Sequence, residues 1–341
     1  MEAQTPRTRR TWSAFGNVRK MPSEYEIVTH DTNYTLRKGR AAALEQNPSS
    51  PANLWILTYR DKSPLALDDW QVWRDPDELT YRRYVTVQDE QEAVTRRLLD
   101  EYSDAGHDKT HSPQWRATLA TLFAPQRYAT HAVQLAHAYL GQMAPSPYIT
   151  NCAAYAAADM LRRASLVCYR TRELQRVWPD AGFGVNERKT WETEAGWQDT
   201  RKALELALSA YDWGECFTAV NLILRPTLDD ILIRQLAEVA RANGDELTWL
   251  LLGNLDIDAQ RSRRWSASLA RQAVEGRPEN ATTFKRWIDR WAPRADAAAA
   301  GLARLLGSLP STGRPAAQIV AEATAARQRV LQDALIFAGA N

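Results

Sequence analysis

The chain has 341 residues, with 43 lysines and arginines against 41 aspartates and glutamates, and its formal charge of +2 offers no electrostatic footprint for a nucleic acid. Its best apolar run, at 247–252, is far shorter than the roughly 20 residues of a membrane helix, and Arg19 with Lys20 interrupts any signal-peptide core. We therefore expect a cytoplasmic protein without nucleic-acid or membrane partners.

Residues 1–84 predict a long, mostly irregular N-terminal arm. Five prolines that block helix propagation are spread along it, namely Pro22, Pro48, Pro51, Pro64 and Pro76. The pattern allows one short strand, at 25–28. The arm cannot bury its aromatic rings in a core of its own, and tryptophan is enriched at the buried centres of interfaces. We expect these rings to pack on the helical body or on a partner subunit, the candidates being Trp12, Tyr25, Trp55, Trp70 and Trp73.

Residues 85–276 have helical periodicity throughout. Helices are predicted at about 84–103, from the Ser112-Pro113 pair onward, after Pro125, and most clearly over 148–176. Further helices are predicted at 197–224, at 227–242 after Pro226, and at 246–275, where Asp245 follows the Asn243-Gly244 stop. Strand signals are almost absent, so the pattern predicts an all-α protein built on a four-helix bundle.

Residues 277–341 predict a separate set of C-terminal helices. Their expected limits are 281–291, 294–307 and 315–337, with the breaks at Pro293, Pro310 and Pro315. The chain thus divides into an arm (1–84), a bundle (85–276) and C-terminal helices (277–341).

Short motifs between residues 10 and 300 share their order and spacing with one protein family. They are Thr11-Trp12-Ser13, Pro22 to Val28, Arg74 to Arg82, Gln88-Asp89, Gln91-Glu92, Met143 to Ser146, Tyr169 to Thr171, Glu173-Leu174, Pro179 to Gly184, Asp212 to Glu215 and Arg264 to Ser266. On these motifs the chain resembles the β subunit of toluene and alkene monooxygenase hydroxylases.

The resemblance implies a ferritin-like extended bundle that works inside a larger enzyme. In such enzymes the hydroxylase is an (αβγ)2 assembly in which only α holds the di-iron site. A small effector protein and a Rieske-type ferredoxin with its reductase complete the system, and NADH, FAD and a 2Fe-2S cluster supply electrons. One oxygen atom of O2 enters a hydrocarbon, by alkene epoxidation or aromatic hydroxylation. Toluene, isoprene and small alkenes all remain open as substrates.

The sequence lacks the ligands of a ferritin-like di-iron site. Such a site needs two E-x-x-H pairs, because side chains three residues apart share a helix face. None of the five histidines follows a glutamate at that spacing. At the positions that match the family's late ligand helix stand Ala259 and Ser262, and Arg225 falls near the place of a bridging glutamate. We therefore expect no catalytic, metal-binding or cofactor-binding residue on this chain.

Two other histidine patterns have plainer explanations. Asp104, His107, Asp108 and His111 form two D-x-x-H steps, but the intervening Gly106 favours a solvated turn at a helix end. His131 and His137 lie beside an apolar stripe, and we expect both to be hydrogen-bonded residues at the edge of the core. Asp212 and Glu215 could serve acid-base chemistry, although a helix start or an interface is the simpler role.

Three hypotheses of different classes follow. The chain is a non-catalytic β subunit that stabilises α and helps form the docking surface for the other components. Alternatively it is an independent ferritin-like iron-binding oxidase, which would hold iron when purified alone. A free-standing helical adaptor would stay folded and monodisperse without partners.

Overall fold

The computed structural model describes residues 15, 20–34, 50–308 and 313–335. Within these residues the regular structure is helical and contains no strand. The helices are α1 (Glu24–Thr29), α2 (Pro51–Ile56), α3 (Tyr81–Asp104), α4 (Pro113–Thr118), α5 (Gln126–Met143), α6 (Pro147–Val177), α7 (Glu187–Thr193), α8 (Ala195–Ala207), α9 (Trp213–Phe217), α10 (Arg225–Asp229), α11 (Leu236–Ala242), α12 (Glu246–Gly276), α13 (Asn280–Ser308) and α14 (Ala316–Asp333). The all-α prediction is confirmed.

The described part of the arm is more regular than its sequence suggested. The strand predicted at 25–28 is wrong, because these residues lie in α1. Ser23 caps that helix by accepting a hydrogen bond from the Glu26 amide, and the Glu26 carboxylate accepts one from the Ser23 amide. This reciprocal capping box stabilises a helix that is too short to show a clear apolar period.

Two helical hairpins form the bundle. Helices α5 and α6 pack against each other along their length, and the continuous helical run 213–242 packs against α12. Helix α12 also contacts α6 and α3, and these contacts join α3 to the bundle. One apolar core connects these helices. In the part of the chain that the structure describes, no helix is long and apolar enough to cross a membrane.

The run 213–242 departs from the prediction in two ways. The helix expected over 197–224 is broken at 208–212, where Asp212 caps α9 by accepting hydrogen bonds from the amides of Gly214 and Glu215. Pro226 does not interrupt the run, because it occupies the first turn of α10. Two π-helical stretches, Thr218–Leu224 and Asp230–Gln235, flank α10. Such widened turns change the direction in which side chains point.

The C-terminal helices pack directly on the bundle. The break expected at Pro293 is absent, since α13 runs through it. Helix α13 contacts α8, and a β-carbon added at Gly301 would lie 2.7 Å from the Gly196 carbonyl oxygen. Only glycine permits that approach. Helix α14 then covers α13 and α10.

Candidate functional site

A charged network lies where the two hairpins of the bundle face each other. It consists of Gln126, Arg163, Arg225, Asp229 and Ser262 and is called the central network below. Arg163 donates to Asp229 Oδ1 at 2.7 Å and to the Gln126 side-chain oxygen at 2.7 Å. Arg225 donates to Asp229 Oδ2 at 3.3 Å and also to the Ser262 hydroxyl. All five side chains are buried.

The electrostatics of the central network disfavour a metal cation. Burial by itself would raise the pKa of Asp229, but the charges of Arg225 and Arg163 outweigh burial and hold that pKa below its usual range. The carboxylate is therefore ionised and already matched by two guanidinium groups. A metal ion placed there would be a third positive charge and would face repulsion at close range in a low-dielectric medium.

His137 reinforces this conclusion. Its ring is fully buried, and Nδ1 donates to the Val133 carbonyl oxygen at 2.9 Å. Burial, with the Arg225 charge second, lowers its pKa to about 3. The imidazole is thus neutral and hydrogen-bonded, as expected. The corresponding expectation for His131 is wrong, because that side chain is exposed on α5.

The family's di-iron donor set does not fit this centre. Iron requires glutamates from several helices together with two histidines. In the described residues of the centre, Arg225 and Ser262 are hydrogen-bonded to each other instead. By the family resemblance, Ser262 matches a ligand position and Arg225 falls near another, and the fold brings these two side chains together. Arginine and serine supply no anionic ligand there.

A second charged network joins α3, α6 and α12. Arg261 donates to both oxygens of Asp159, and Tyr84 donates to Asp159 Oδ1 at 2.9 Å. Arg162 donates to Asp258 Oδ2 at 2.9 Å. Burial, followed by the nearby charge of Asp258, raises the pKa of Asp159 to about 6, although Arg261 and Tyr84 oppose the shift. These pairs tie the three helices together, and Tyr84 and Arg162 also line the open groove between α3 and α6.

A third group of polar residues lies at the N-terminal end of α12. His107 Nε2 is 3.2 Å from Asp245 Oδ1, and His111 Nε2 is 3.5 Å from Asp245 Oδ2. The ligand atoms of His107, His111 and Asp245 all lie within 4.8 Å of one another. The solvated turn expected here is wrong, because His111, Asp108 and Asp245 are buried. The sequence marks Asp245 only as a helix start. Its proximity to His107 and His111 could not be predicted, because it lies far beyond them in the chain.

The aromatic residues of the arm pack mainly on the chain's own bundle. Tyr25, Trp70 and Trp73 are buried. The Trp70 ring makes an edge contact with Trp213 at 4.9 Å, and Trp73 Nε1 donates to Ser268 at 3.1 Å. Their apolar surface is buried within this chain, so these three rings leave little surface for contact with a partner subunit.

Of the two remaining arm tryptophans, the structure describes only Trp55. Trp55 is 38% exposed while its Nε1 donates to the Tyr139 hydroxyl at 2.9 Å, so it still offers apolar surface to a partner. Trp12 lies outside the described residues.

An open groove of about 820 Å³ separates α3 from α6. One apolar side chain stands exposed on each of its walls, Val85 of α3 at 44% and Tyr169 of α6 at 53%. Large apolar side chains grouped on one face are typical of protein-protein contact surfaces. The sequence did not indicate this face, because α3 and α6 lie far apart in the chain and their exposed residues come together only in the fold.

Comparison with known proteins gives consistent results. Residues 55–276 match the family model described as methane/phenol/alkene hydroxylase. The chain is 40% identical over 308 residues to the hydroxylase β subunit of the toluene-4-monooxygenase system of Ectopseudomonas mendocina, a match that covers 90% of this chain and 94% of that protein. It is 27% identical over 193 residues to the β chain of methane monooxygenase component A of Methylosinus trichosporium, covering 55% of this chain and 49% of that one.

Solved structures show the same relationship. A chain from a structure of toluene 4-monooxygenase with toluene bound in its resting active site superimposes with a TM-score of 0.82 at 40% identity, covering 89% of this chain and 98% of that chain. A chain from phenol hydroxylase of Pseudomonas sp. OX1 superimposes with a TM-score of 0.79 at 18% identity, covering 93% and 91%. The second likeness concerns the fold alone.

Proposed function

Because this chain belongs to the methane/phenol/alkene hydroxylase family, we propose that it is the non-catalytic β subunit of the hydroxylase in a multicomponent monooxygenase. The enzyme inserts one oxygen atom of O2 into a hydrocarbon, and the larger α subunit holds the di-iron site. The observation that carries this assignment is the 40% identity to a toluene-4-monooxygenase hydroxylase β subunit over nearly the full length of both proteins.

The non-catalytic role is supported by the central network. Asp229 is held between Arg163 and Arg225, so the centre of the bundle has two cations where ferritin-like oxygenases bind iron. When bound to α, di-iron would supply the oxygen activation. The residues of this chain instead contribute a rigid, charge-matched core.

The role of this chain in assembly depends on its surface. The groove between α3 and α6 is the face that we assign to the α subunit. Burial of Val85 and Tyr169 under a partner would remove apolar surface from water, which is worth about 25 cal/mol per Å². Trp55 is the arm residue that would extend such an interface.

The remaining components follow from the family resemblance. We infer an (αβγ)2 hydroxylase that works with a small effector protein and a Rieske-type ferredoxin and reductase carrying NADH-derived electrons through FAD and a 2Fe-2S cluster. The substrate class is an aromatic or alkene hydrocarbon, for which the toluene enzyme is the nearest model among the relatives described. The assembly is expected in the cytoplasm.

The test is activity of a reconstituted system. The full-length chain is co-expressed with its α and γ subunits and supplied with effector, electron-transfer proteins, NADH and toluene. Oxygenated product is expected only when this chain is present. Equal product without it would refute an essential subunit role, and product from this chain alone would refute the non-catalytic assignment.

A further inference from the structure

The cluster of His107, His111 and Asp245, called the histidine cluster below, has the geometry of a metal site. His107 lies in the short 3-10 turn His107–Thr110 that follows α3, and His111 comes directly after that turn. Asp245 is the N-cap of α12, where Oδ1 also accepts the Thr248 amide hydrogen bond at 2.9 Å. Three ligands from two distant segments therefore converge on one point.

The separations suit a tetrahedral ion. Zinc bound at about 2.0–2.1 Å by imidazole nitrogen and carboxylate oxygen places its ligand atoms about 3.3–3.4 Å from one another. His107 Nε2 lies 3.2 Å from Asp245 Oδ1, and His111 Nε2 lies 3.5 Å from Asp245 Oδ2. One ligand atom from each of the three residues already lies within 4.8 Å of the other two, so side-chain rotation suffices to close them around such an ion.

An unsatisfied buried atom points to the same ligand. The His111 side chain is 1% exposed, and its Nε2 makes no hydrogen bond within the described structure, although Asp108 Oδ1 lies 3.3 Å away and Asp245 Oδ2 3.5 Å away. A buried polar atom without a hydrogen bond is costly. Coordination of a cation would satisfy it.

The surrounding charges favour a divalent cation. Arg170 is occupied by Asp108, at 2.9 Å and 3.0 Å, and by Glu173 at 2.6 Å. Asp245 is a third carboxylate in this neighbourhood, whereas the hydrogen bonds of Arg170 go to Asp108 and Glu173. Three carboxylates and one guanidinium leave an excess of negative charge that a divalent cation would offset. Trp115 Nε1 orients Asp245 by donating to its Oδ2 at 2.8 Å, as outer partners orient metal ligands.

We propose that the histidine cluster binds one zinc-class divalent ion, with His107 Nε2, His111 Nε2 and Asp245 as ligands and water in the fourth position. The ion would fasten the α3–α4 connection to the start of α12. Two imidazoles and one carboxylate are a donor set that zinc accepts readily. This inference is independent of the proposed function and departs from the expectation that the chain holds no metal.

The experiment titrates the full-length chain with zinc after dialysis against a chelator. Calorimetry is expected to show one zinc per chain, and cobalt substitution should give the visible bands of a tetrahedral ion. His107→Ala and His111→Gln should each weaken binding more than about 100-fold, because even loss of an outer partner costs 10–100-fold. His131→Ala removes an exposed histidine outside the cluster and should bind as the wild type does.

Folding is monitored by far-UV circular dichroism. Zinc should raise the Tm of the wild type and of His131→Ala but not that of His107→Ala. If both cluster variants unfold, the wild-type stoichiometry and cobalt spectrum decide. A folded wild type without stoichiometric zinc, a six-coordinate cobalt spectrum, or a folded His107→Ala variant with wild-type affinity would each overturn the proposal.

Discussion

Asp229→Ala tests whether the centre of the bundle is held together by charge. The carboxylate is 6% exposed and lies 2.7 Å from Arg163 and 3.3 Å from Arg225, whose side chains are equally buried. Its removal leaves two guanidinium groups without their shared counter-ion. Removing one partner of a buried ion pair costs about 3–5 kcal/mol, and we expect a loss at the upper end of that range because two cations are affected.

The matched control is Asp289→Ala. Asp289 is 61% exposed and pairs with Lys285 one helical turn away at 3.0 Å. Pairs of this kind contribute about 0.3–0.5 kcal/mol. The assay is urea unfolding followed by circular dichroism and tryptophan fluorescence. If Asp229→Ala unfolds at the same urea concentration as the control, the network is not the buried, mutually dependent set described above.

Three further predictions concern other parts of the molecule. Tyr169→Asp should abolish or strongly weaken binding of the α subunit in size-exclusion chromatography without unfolding the chain, whereas Val185→Asp, on an exposed loop, should bind normally; equal binding by both would refute the assigned face. The pKa of Asp159 is raised to about 6, so the stability that this group contributes is present below about pH 4 and is lost as the pH rises through about 6. The stability of the wild type minus that of Asp159→Asn should thus fall by roughly 3 kcal/mol between those limits, and a difference independent of pH would contradict the shift. His137→Ala should lower the Tm and leave the iron content of the assembled hydroxylase unchanged, whereas His131→Ala should alter neither, and iron loss in either variant would show a ligand role.

The sequence predicts those elements whose signals are local. Ser112-Pro113 and Asn243-Gly244-Asp245 mark helix boundaries by capping chemistry, and the structure begins α4 and α12 at those places. The apolar period likewise identifies the long helix α6. These signals depend on neighbouring residues, and at these three helices the tertiary contacts agree with them.

The errors arise where tertiary packing decides. Pro293 lies inside α13 because that helix is held along its length by α8 and α14. For Trp70 and Trp73 the sequence left two alternatives, packing on the chain's own bundle or on a partner subunit. The structure shows Trp70 against Trp213 and Trp73 hydrogen-bonded to Ser268, both within the chain.

The two candidate sites also differ in how much of each could be predicted from the sequence. The family resemblance indicated that Arg225 and Ser262 stand at or near positions of metal ligands, but their hydrogen bond became evident only in the structure. No local pattern connects His111 with Asp245, since their proximity depends on the packing of the α3–α4 connection against the start of α12.

The most direct test of the central claim is iron analysis of two preparations of the full-length chain under iron-replete conditions, one expressed alone and one purified as a complex with the α and γ subunits. The account predicts no di-iron centre in the chain alone and about two irons for each αβ pair in the complex. Zinc at the histidine cluster is distinguished by elemental analysis. About two tightly bound irons in the isolated chain, with oxygen-dependent oxidation, would contradict the assignment and support an independent iron oxidase.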